Sequence, residues 1–310
     1  MRAITQSAFG DPSVLGTAQV DRPEPDHGQV LIRVGAAGVN PVDGAVRSGA
    51  YPLLGSPPFV LGWDVAGTVE STGPGVSAFA PGDEVLGLLA FPGAGNAYAD
   101  YVLASPNEIV HRPATLSVEE AGGLPLAGLT AWQALVGIAR LGEGERVLVH
   151  AAAGGVGHLA VQIAASRGAH VTGTARTAKH DFLRELGADT LIDHTVADFV
   201  TETEPVDVVF DLVGGDYGER SAAVLKPGGV LVGAVGGNLG ITGERAAELG
   251  MRLAVVNVRP SAADLSRLVA LAESGRLRVH VDQALPLTEV AKAHELLSTR
   301  RTTGKIVLIP

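Results

Sequence analysis

The spacing of hydrophobic and polar positions first predicts a β-rich unit. From Met1 to about Pro113, short β-rich segments such as "QVLIRVGAAGV" and "AYADYVLAS" alternate with clusters of Gly, Pro and Asp. Short strands that are bounded by turn residues are typical of an all-β barrel or sandwich. We therefore expect a barrel-like or sandwich-like unit in this part of the chain.

The pattern changes from about Ala121 onward. Strand and helix patterns then alternate with short loops, from "ERVLVH" and "HLAVQIAASRGA" to "RLAVVNV". This alternation is typical of a parallel sheet built from right-handed crossover units. The second region therefore predicts an α/β, doubly wound domain.

The chain after Pro260 predicts a mixed tail. A helix from Ala262 to Glu273 precedes a short strand in "RVHVDQALP", a helix in "TEVAKAHELL" and a terminal strand in "GKIVLIP". We expect this tail to pack back on the first unit, although its pattern alone does not show which unit it joins.

Length and charge narrow the class of protein. The 310 residues exceed what one hydrophobic core usually supports, so two domains are expected. Hydrophobic residues make up 46% and charged residues 18%, which favours a compact fold over disorder. The net charge is -10, and no basic run with interleaved aromatic residues is present. Nucleic acid is therefore not expected as the main ligand.

The chain contains no cysteine, which excludes disulfides, thiolate metal ligands and thiol nucleophiles. The start "MRAITQSAFGDPSVLG" lacks the apolar core of a signal peptide, so a cytoplasmic protein is expected. The uncharged run from 147 to 166 contains His150, His158, Gln162 and a glycine turn. We interpret it as a buried segment and not as a membrane span.

The stretch "VLVHAAAGGVGHLAVQ" (147–162) predicts a strand, a glycine-rich turn and a helix. Gly154, Gly155 and Gly157 follow the strand, and Ala152 stands where G-x-G-x-x-G begins. Residues without a Cβ let the backbone approach a pyrophosphate. A purely structural tight turn is the alternative. The next strand, "HVTGT", favours the dinucleotide interpretation.

The end of that next strand predicts which dinucleotide binds. In "GTARTAKH", the uncharged Ala175 stands where an Asp or Glu would bind the ribose of NAD. Arg176 and Lys179 follow, and their charges fit a ribose 2′-phosphate. An exposed, solvated basic turn is the alternative. We predict NADPH as the cofactor.

Several motifs in a fixed order carry a family resemblance. They are "GVNPVD" (38–43), "LGWDVAGTVE" (61–70), "PGDEVLG" (81–87), "LPLAGLTAW" (124–132), "AAAGGVG" and "VLKPGG". With them the chain resembles the medium-chain dehydrogenase/reductase superfamily, and more closely its zinc-independent quinone oxidoreductase branch. The likeness covers essentially the whole chain.

The resemblance implies two domains. A GroES-like catalytic domain is expected over 1–120 plus 260–310, with an inserted Rossmann NADPH-binding domain over 121–259. The active site would lie in the cleft between them. The resemblance also makes 252–258 an edge strand that pairs with its symmetry mate in a homodimer. Burial of that strand within the monomer is the alternative.

Departures from the zinc alcohol dehydrogenases of the superfamily argue against a metal site. Asn40, Val42 and Trp63 stand where those enzymes carry a Cys, a Ser or Thr, and a His. Amide, isopropyl and indole groups do not form the usual thiolate and imidazole zinc site. The four-cysteine structural zinc loop is also absent from the sequence. We therefore expect no metal.

A reductase without a metal needs an acceptor that is already polarised. Quinones and α,β-unsaturated carbonyls accept hydride at carbon, and the resulting anion needs only hydrogen-bond donors and a proton. We expect a metal-free, NADPH-dependent reductase of such a small molecule. The alternatives are an NADPH-binding redox-sensing or structural protein with little turnover, and an enoyl-thioester reductase of the same fold.

The resemblance places Asn40 beside the nicotinamide and substrate, and Tyr51 of "SGAYP" at the cleft. The Tyr51 phenol either protonates an enolate or packs on the ring as a lid, and water is an alternative acid. Asp43 and Asp64 are either an acid–base pair or, as we favour, residues that hold loops through backbone hydrogen bonds.

The resemblance also implies a contact of Thr130 with the nicotinamide ribose and of His194 with the adenosine phosphate; for Thr130 the alternative is a helix-interior Thr that bonds its own backbone. The other predicted cofactor contacts lie in the glycine turn or near the carboxyl ends of the strands. They are Ala153, Gly154, Gly155, Val156, Gly157, Thr174, Arg176, Lys179, Val213, Gly214, Ala234 and Val235.

Overall fold

The chain folds into two compact units. A computed structural model describes residues 1–234 and 239–310. One unit comprises Met1–Leu129 with Arg259–Pro310, and the other comprises Thr130–Val258. The carboxyl-terminal tail therefore groups with the first unit.

The strands of the described residues are numbered in chain order. They are β1 (Arg2–Gln6), β2 (Leu15–Gln19), β3 (Val30–Val39), β4 (Phe59–Val60), β5 (Asp64–Thr72), β6 (Glu84–Leu88), β7 (Tyr101–Ala104), β8 (Ile109–His111), β9 (Arg146–Val149), β10 (His170–Thr174), β11 (Thr190–Ile192), β12 (Val206–Asp211), β13 (Leu225–Gly233), β14 (Arg252–Val255), β15 (Val281–Pro286) and β16 (Lys305–Ile309).

The α-helices are numbered in the same way. They are α1 (Pro41–Ser48), α2 (Val118–Gly123), α3 (Pro125–Trp132), α4 (Gly157–Ser166), α5 (His180–Glu185), α6 (Phe199–Glu202), α7 (Tyr217–Ala222), α8 (Gly243–Glu248), α9 (Ala262–Glu273) and α10 (Val290–Ser298). A π-helical segment, Gln133–Ile138, follows α3.

Two sheets form the β-rich part of the first unit. Within the described residues, one sheet has the order β15-β16-β3-β5-β6-β8, with β7 also paired to β3, and the other has the order β2-β1-β4. The terminal strand β16 runs antiparallel to β3, with Ile306 opposite Val39. Ile306, Val307 and Leu308 are almost completely buried. Burial of these side chains explains why the tail returns to this sheet.

Helix α2 belongs to the first unit, although the predicted boundary of the GroES-like domain lies at residue 120. Its first turn is closed by reciprocal hydrogen bonds between Ser117 and Glu120. Gly122 then packs directly on β3, since a Cβ there would lie 2.7 Å from the Cβ of Ala36. The first unit therefore extends to Leu129. The change to helical spacing near residue 121 comes before the change of unit.

The second unit has the predicted doubly wound sheet. Its strands are all parallel and follow the order β11-β10-β9-β12-β13-β14 within the described residues. This is the strand order of a Rossmann fold, in which ligands bind at the carboxyl ends of the strands. Leu148, Val209 and Leu231 are fully buried in its core. The segment 147–166 forms β9, the glycine turn and α4.

Strand β14 lies at one edge of this sheet, as predicted. It pairs with β13 and ends at Val255, so it is shorter than the predicted range 252–258. The Val255 side chain is 37% exposed. Across the described ranges, no helix is long and apolar enough to cross a membrane.

Candidate active site

At one position of the glycine turn between β9 and α4, close packing requires a glycine. A Cβ on Gly157 would lie 2.4 Å from the backbone oxygen of Ala151, a distance that real Cβ atoms do not show. At Gly154 the nearest atom would lie at 3.3 Å. Packing therefore requires Gly157 more strictly than Gly154. The amino end of α4 follows this turn, and helix amino ends favour anions.

A buried histidine supports the turn from inside the unit. The His150 ring nitrogens lie 3.3 Å from the Thr174 hydroxyl and 3.0 Å from the Ser221 hydroxyl. Burial lowers the pKa of His150 to about 3, so the ring is neutral. The Thr174 hydroxyl is also within 3.2 Å of the Ala151 N–H, which donates to it. Thr174, a predicted cofactor contact, thus fixes the turn through its buried side chain.

The predicted phosphate-binding residues lie at one sheet edge. Strands β10 and β11 are parallel, with Thr174 opposite Ile192. Arg176 and His194 each follow two residues later, and both are exposed. Because the carboxyl ends of parallel strands meet at the same edge, the register brings these two residues to one side of the sheet. Lys179 lies in the short helical turn after Arg176.

Asp193 joins the two loops that carry these residues. Its carboxylate accepts hydrogen bonds from the backbone N–H and the hydroxyl of Thr177, at 2.7 and 2.5 Å. It accepts two more from Thr195, at 2.9 and 2.6 Å. These hydrogen bonds hold the pKa of Asp193 well below its usual range. The backbone beside Arg176 is therefore fixed before any ligand binds.

A third loop follows β12. Asp211 accepts hydrogen bonds from the N–H groups of Val213 and Gly214, at 2.8 and 3.0 Å, and Gly214 has a φ of 73°. Ala234 donates its N–H to the backbone oxygen of Asp211. Val213, Gly214 and Ala234 are thereby brought together at the carboxyl ends of β12 and β13. The predicted contact Val235 lies outside the described residues.

The first unit contains a separate polar cluster, which we call the Asn40 cluster: Asn40, Asp43, Asp64, Tyr98 and Lys305. The Asn40 amide nitrogen donates to Asp64 Oδ2 at 2.9 Å. Lys305 Nζ donates to Asn40 Oδ1 at 2.5 Å and lies 3.6 Å from Asp64 Oδ2. Lys305 is 3% exposed. Burial raises the pKa of Asp64 and lowers the pKa of Lys305, and each opposes the shift of the other.

Asp43 occupies the same cluster. Its Oδ2 accepts hydrogen bonds from the Asn40 N–H at 2.6 Å and from the Tyr98 hydroxyl at 2.8 Å. Its Oδ1 is buried and has no hydrogen-bond partner within the described residues. Burial raises the pKa of Asp43 to about 7, against the effect of these two donors. Asp64 also accepts the N–H of Leu126. Both carboxylates thus hold backbone segments, as predicted.

Lys305 and Tyr98 were not predicted from the sequence. Lys305 begins the strand "KIVLI", where a charge at the strand end is ordinarily solvated. The available signal was that this lysine is the lone charge of an otherwise apolar terminal strand. Its burial became evident only from the position of β16 beside β3.

The two predicted catalytic residues have different surroundings. Asn40 precedes α1 and is 2% exposed, whereas Tyr51 follows the carboxyl end of α1 and is 47% exposed. The Tyr51 N–H donates to the backbone oxygen of Ala45 at 3.1 Å. The fold thus supplies one buried amide and one accessible phenol. Thr130, in α3, is buried.

Two side chains that stand where the zinc alcohol dehydrogenases carry metal ligands, Asn40 and Trp63, are engaged in other contacts. Trp63 is fully buried, and its indole N–H donates to the backbone oxygen of Gly93 at 2.6 Å. The Asn40 carboxamide is bonded to Asp64 and Lys305. In the part of the chain that the structure describes, no three His, Cys, Asp or Glu side chains are grouped as metal ligands.

Two family models match the chain. The alcohol dehydrogenase GroES-like domain matches residues 26–114, and the zinc-binding dehydrogenase family matches residues 186–308. Among curated proteins, the 2-methylene-furan-3-one reductase of Solanum lycopersicum is 35% identical, and the match covers 100% of this chain and 79% of that protein.

Two solved structures of quinone oxidoreductases also resemble this chain over its full length. The quinone oxidoreductase of Coxiella burnetii has a TM-score of 0.94 and 39% identity, over 100% of this chain and 99% of that chain. The quinone oxidoreductase of Escherichia coli complexed with NADPH has a TM-score of 0.89 and 31% identity, over 100% of both chains.

The pKa of Asp43 predicts a pH dependence of stability. Between about pH 4 and the folded pKa of about 7, the folded protein holds a proton on Asp43 that the unfolded chain has lost. The contribution of this proton to the free energy of unfolding is thus fully present below pH 4 and is lost as the pH rises through about 7. One proton gives a slope of at most ~1.4 kcal/mol per pH unit.

We expect Asp43→Asn to flatten the decline in the free energy of unfolding between pH 5 and pH 7, because Asn still accepts hydrogen bonds from Asn40 and Tyr98. Urea unfolding at several pH values measures this slope. Asp181→Asn, at an exposed position in α5, is the matched control and should keep the wild-type slope. Equal slopes for wild type and Asp43→Asn would contradict the protonated Asp43.

Proposed function

The chain belongs to the medium-chain dehydrogenase/reductase superfamily, in its quinone oxidoreductase branch, and on that premise we propose an NADPH-dependent oxidoreductase that reduces a quinone or an α,β-unsaturated carbonyl. One observation carries the proposal. A tight glycine turn follows β9, the first strand of the parallel sheet along the chain. Basic side chains lie at the edge of that sheet where a dinucleotide phosphate would bind. The names of the relatives support both acceptor classes.

NADPH is the proposed form of the cofactor. Arg176 is exposed directly after β10, and no acidic side chain stands at the strand end, where one would bind the ribose hydroxyl of NAD. Asp193 fixes the adjacent backbone at Thr177, so Arg176 is presented from an ordered turn. Binding of NADPH by the Escherichia coli relative is consistent with this choice.

The residues of the first unit would act on the acceptor. Bound NADPH supplies the hydride, and the acceptor oxygen then needs a hydrogen-bond donor and a proton. We propose that Asn40 donates a hydrogen bond through its amide. The exposed Tyr51 phenol either donates the proton or covers the ring as a lid. The side chains of Asn40 and Trp63 support a reaction that does not use zinc.

A homodimer through residues 252–258 is part of the same proposal. Strand β14 is an edge strand, and its Val255 side chain is 37% exposed. An unpaired apolar edge is a hazard for aggregation, and pairing with a second copy covers it.

The central experiment measures oxidation of NADPH, and separately of NADH, by chelator-treated protein with a panel of quinones and linear or cyclic enones. We expect turnover that favours NADPH and survives the chelator. Loss of activity in the chelator, restored by Zn²⁺, would contradict the metal-free reaction. Tight NADPH binding without turnover of any acceptor would favour the redox-sensing or structural alternative.

Arg176→Ala should weaken NADPH binding and spare NADH binding. Loss of a charge-assisted hydrogen bond to phosphate costs about 1.5 to 3 kcal/mol, or roughly ten- to a hundredfold in Kd. Fluorescence titration of both cofactors measures the difference. Arg184→Ala, which removes an exposed arginine of α5, is the matched control. Equal losses for NADPH and NADH in Arg176→Ala would refute the phosphate role.

Val255→Lys should convert the proposed dimer to a monomer, because a charge at the centre of a paired edge is disfavoured. Sedimentation velocity gives the oligomeric state. Val196→Lys is a suitable control, since Val196 is 82% exposed elsewhere in the second unit. A wild-type protein that sediments as a monomer would remove the dimer from the proposal.

A further inference from the structure

The geometry points to Lys305 and Asp64 as positioning residues for the reduction, because together they hold the Asn40 carboxamide in a single orientation. The inference rests on the proposed function, in which Asn40 contacts the acceptor and the nicotinamide. Neither Lys305 nor Asp64 is proposed to touch substrate or cofactor.

The sheet topology places these three residues together. Strands β16, β3 and β5 are neighbours in one sheet. Ile306 lies opposite Val39, so the next residues at that end of the pair are Lys305 and Asn40. Asp64 is the first residue of β5, on the other side of β3. The arrangement thus depends on strand register and not on a mobile loop.

The hydrogen bonds allow only one orientation of the amide. Lys305 Nζ is a donor and faces Asn40 Oδ1, while the Asp64 carboxylate is an acceptor and faces Asn40 Nδ2. A rotation of the amide by 180° would place two donors together at Lys305 and two acceptors together at Asp64. The observed orientation leaves the second N–H of Asn40 uncommitted within the described part of the chain. That N–H is the group that, on the proposed function, donates to the acceptor oxygen.

The cost of the arrangement indicates that it has a use. A buried ion pair often contributes less to stability than apolar side chains of similar volume. Lys305 and Asp64 are both almost completely buried, and Nζ and Oδ2 lie at 3.6 Å, beyond an ideal hydrogen bond. Each of them is closer to Asn40 than to the other, since Lys305 Nζ lies 2.5 Å from Asn40 Oδ1 and Asp64 Oδ2 lies 2.9 Å from Asn40 Nδ2. The positions of Lys305 and Asp64 therefore fit hydrogen bonding to the Asn40 amide better than direct pairing with each other.

The glycine at the end of β3 fits this interpretation. A Cβ on Gly38 would lie 2.5 Å from Asp64 Oδ2. Glycine at this position therefore keeps space for the carboxylate beside Asn40. The Leu126 N–H holds the other oxygen of Asp64 at 2.6 Å. Both oxygens of the carboxylate are thus fixed.

Lys305→Met is the first test, with NADPH oxidation in the presence of an accepted quinone or enone as the readout. We expect kcat to fall about tenfold to a hundredfold, the loss expected for a misplaced catalytic group, while the Kd of NADPH changes much less. Lys226→Met is the matched control, because Lys226 also pairs with an aspartate, Asp207, but lies at the surface of the other unit. It should retain wild-type kcat.

A double-mutant cycle separates positioning from a general effect on structure. If Lys305 acts through Asn40, Lys305→Met should have little further effect on kcat in an Asn40→Ala background. If the fold-losses in kcat of Lys305→Met and Asn40→Ala multiplied in the double variant, the inference would be overturned. The proposed function has its own distinct failure, since it would show as absent turnover in the wild type or as full activity in Asn40→Ala.

Removal of Lys305 leaves Asp64 with an unbalanced buried charge and can unfold the protein. The double variant Lys305→Met with Asp64→Asn removes both charges and keeps an oxygen that accepts from Asn40. We expect this variant to fold, as judged by thermal melting, and to retain the lowered kcat. Wild-type kcat in the double variant would show that only charge balance mattered, and would overturn the inference.

Discussion

Burial of the Lys305 ammonium is the constraint on which the first unit depends. A buried cation must find acceptors, and here these are the backbone oxygen of Val39, the side chain of Asn40 and the nearby carboxylate of Asp64. The acceptors lie on or beside strands that are distant in the chain. Insertion of the last strand beside β3, which also buries Ile306, Val307 and Leu308, brings the lysine to these acceptors, and the first unit is therefore built from both ends of the sequence.

The second unit depends on close backbone approach. Gly157 allows α4 to start against the Ala151 carbonyl, and the buried His150 and Thr174 hold the preceding turn. These contacts are internal to the unit and do not need a ligand. The turn is consequently preorganised, and preorganisation reduces the entropy that binding must overcome. A tight turn and the proposed phosphate cradle are thus compatible, because the same backbone geometry fits both.

Much of this architecture follows from sequence pattern. The alternation after residue 121 predicted the parallel sheet, and the β-rich apolar pattern of "RLAVVNV" predicted β14, whose place at the sheet edge came from the family resemblance. The first unit continues past residue 120 because Gly122 packs α2 on β3, a tertiary contact that no local pattern records. Lys305 and Tyr98 were missed for a similar reason. A lysine at the start of a strand and a tyrosine in a turn-rich segment have ordinary exposed forms, and their burial follows from tertiary contacts, with β3 for the lysine and with Asp43 for the tyrosine.

The charges of the Asn40 cluster also bear on why an amide stands at this position. A zinc ion bound near residue 40 would lie close to the Lys305 ammonium, and the two cations would repel each other in a medium of low dielectric constant. An amide has no such conflict, since its oxygen faces the cation and its nitrogen faces Asp64. Asp43 adds no second negative charge while it holds its proton, which it does below about pH 7. With Asp43 protonated, the cluster holds the Lys305–Asp64 pair and one oriented neutral donor. Such a donor stabilises a developing oxyanion by its dipole alone, and this is the contribution that a polarised acceptor requires.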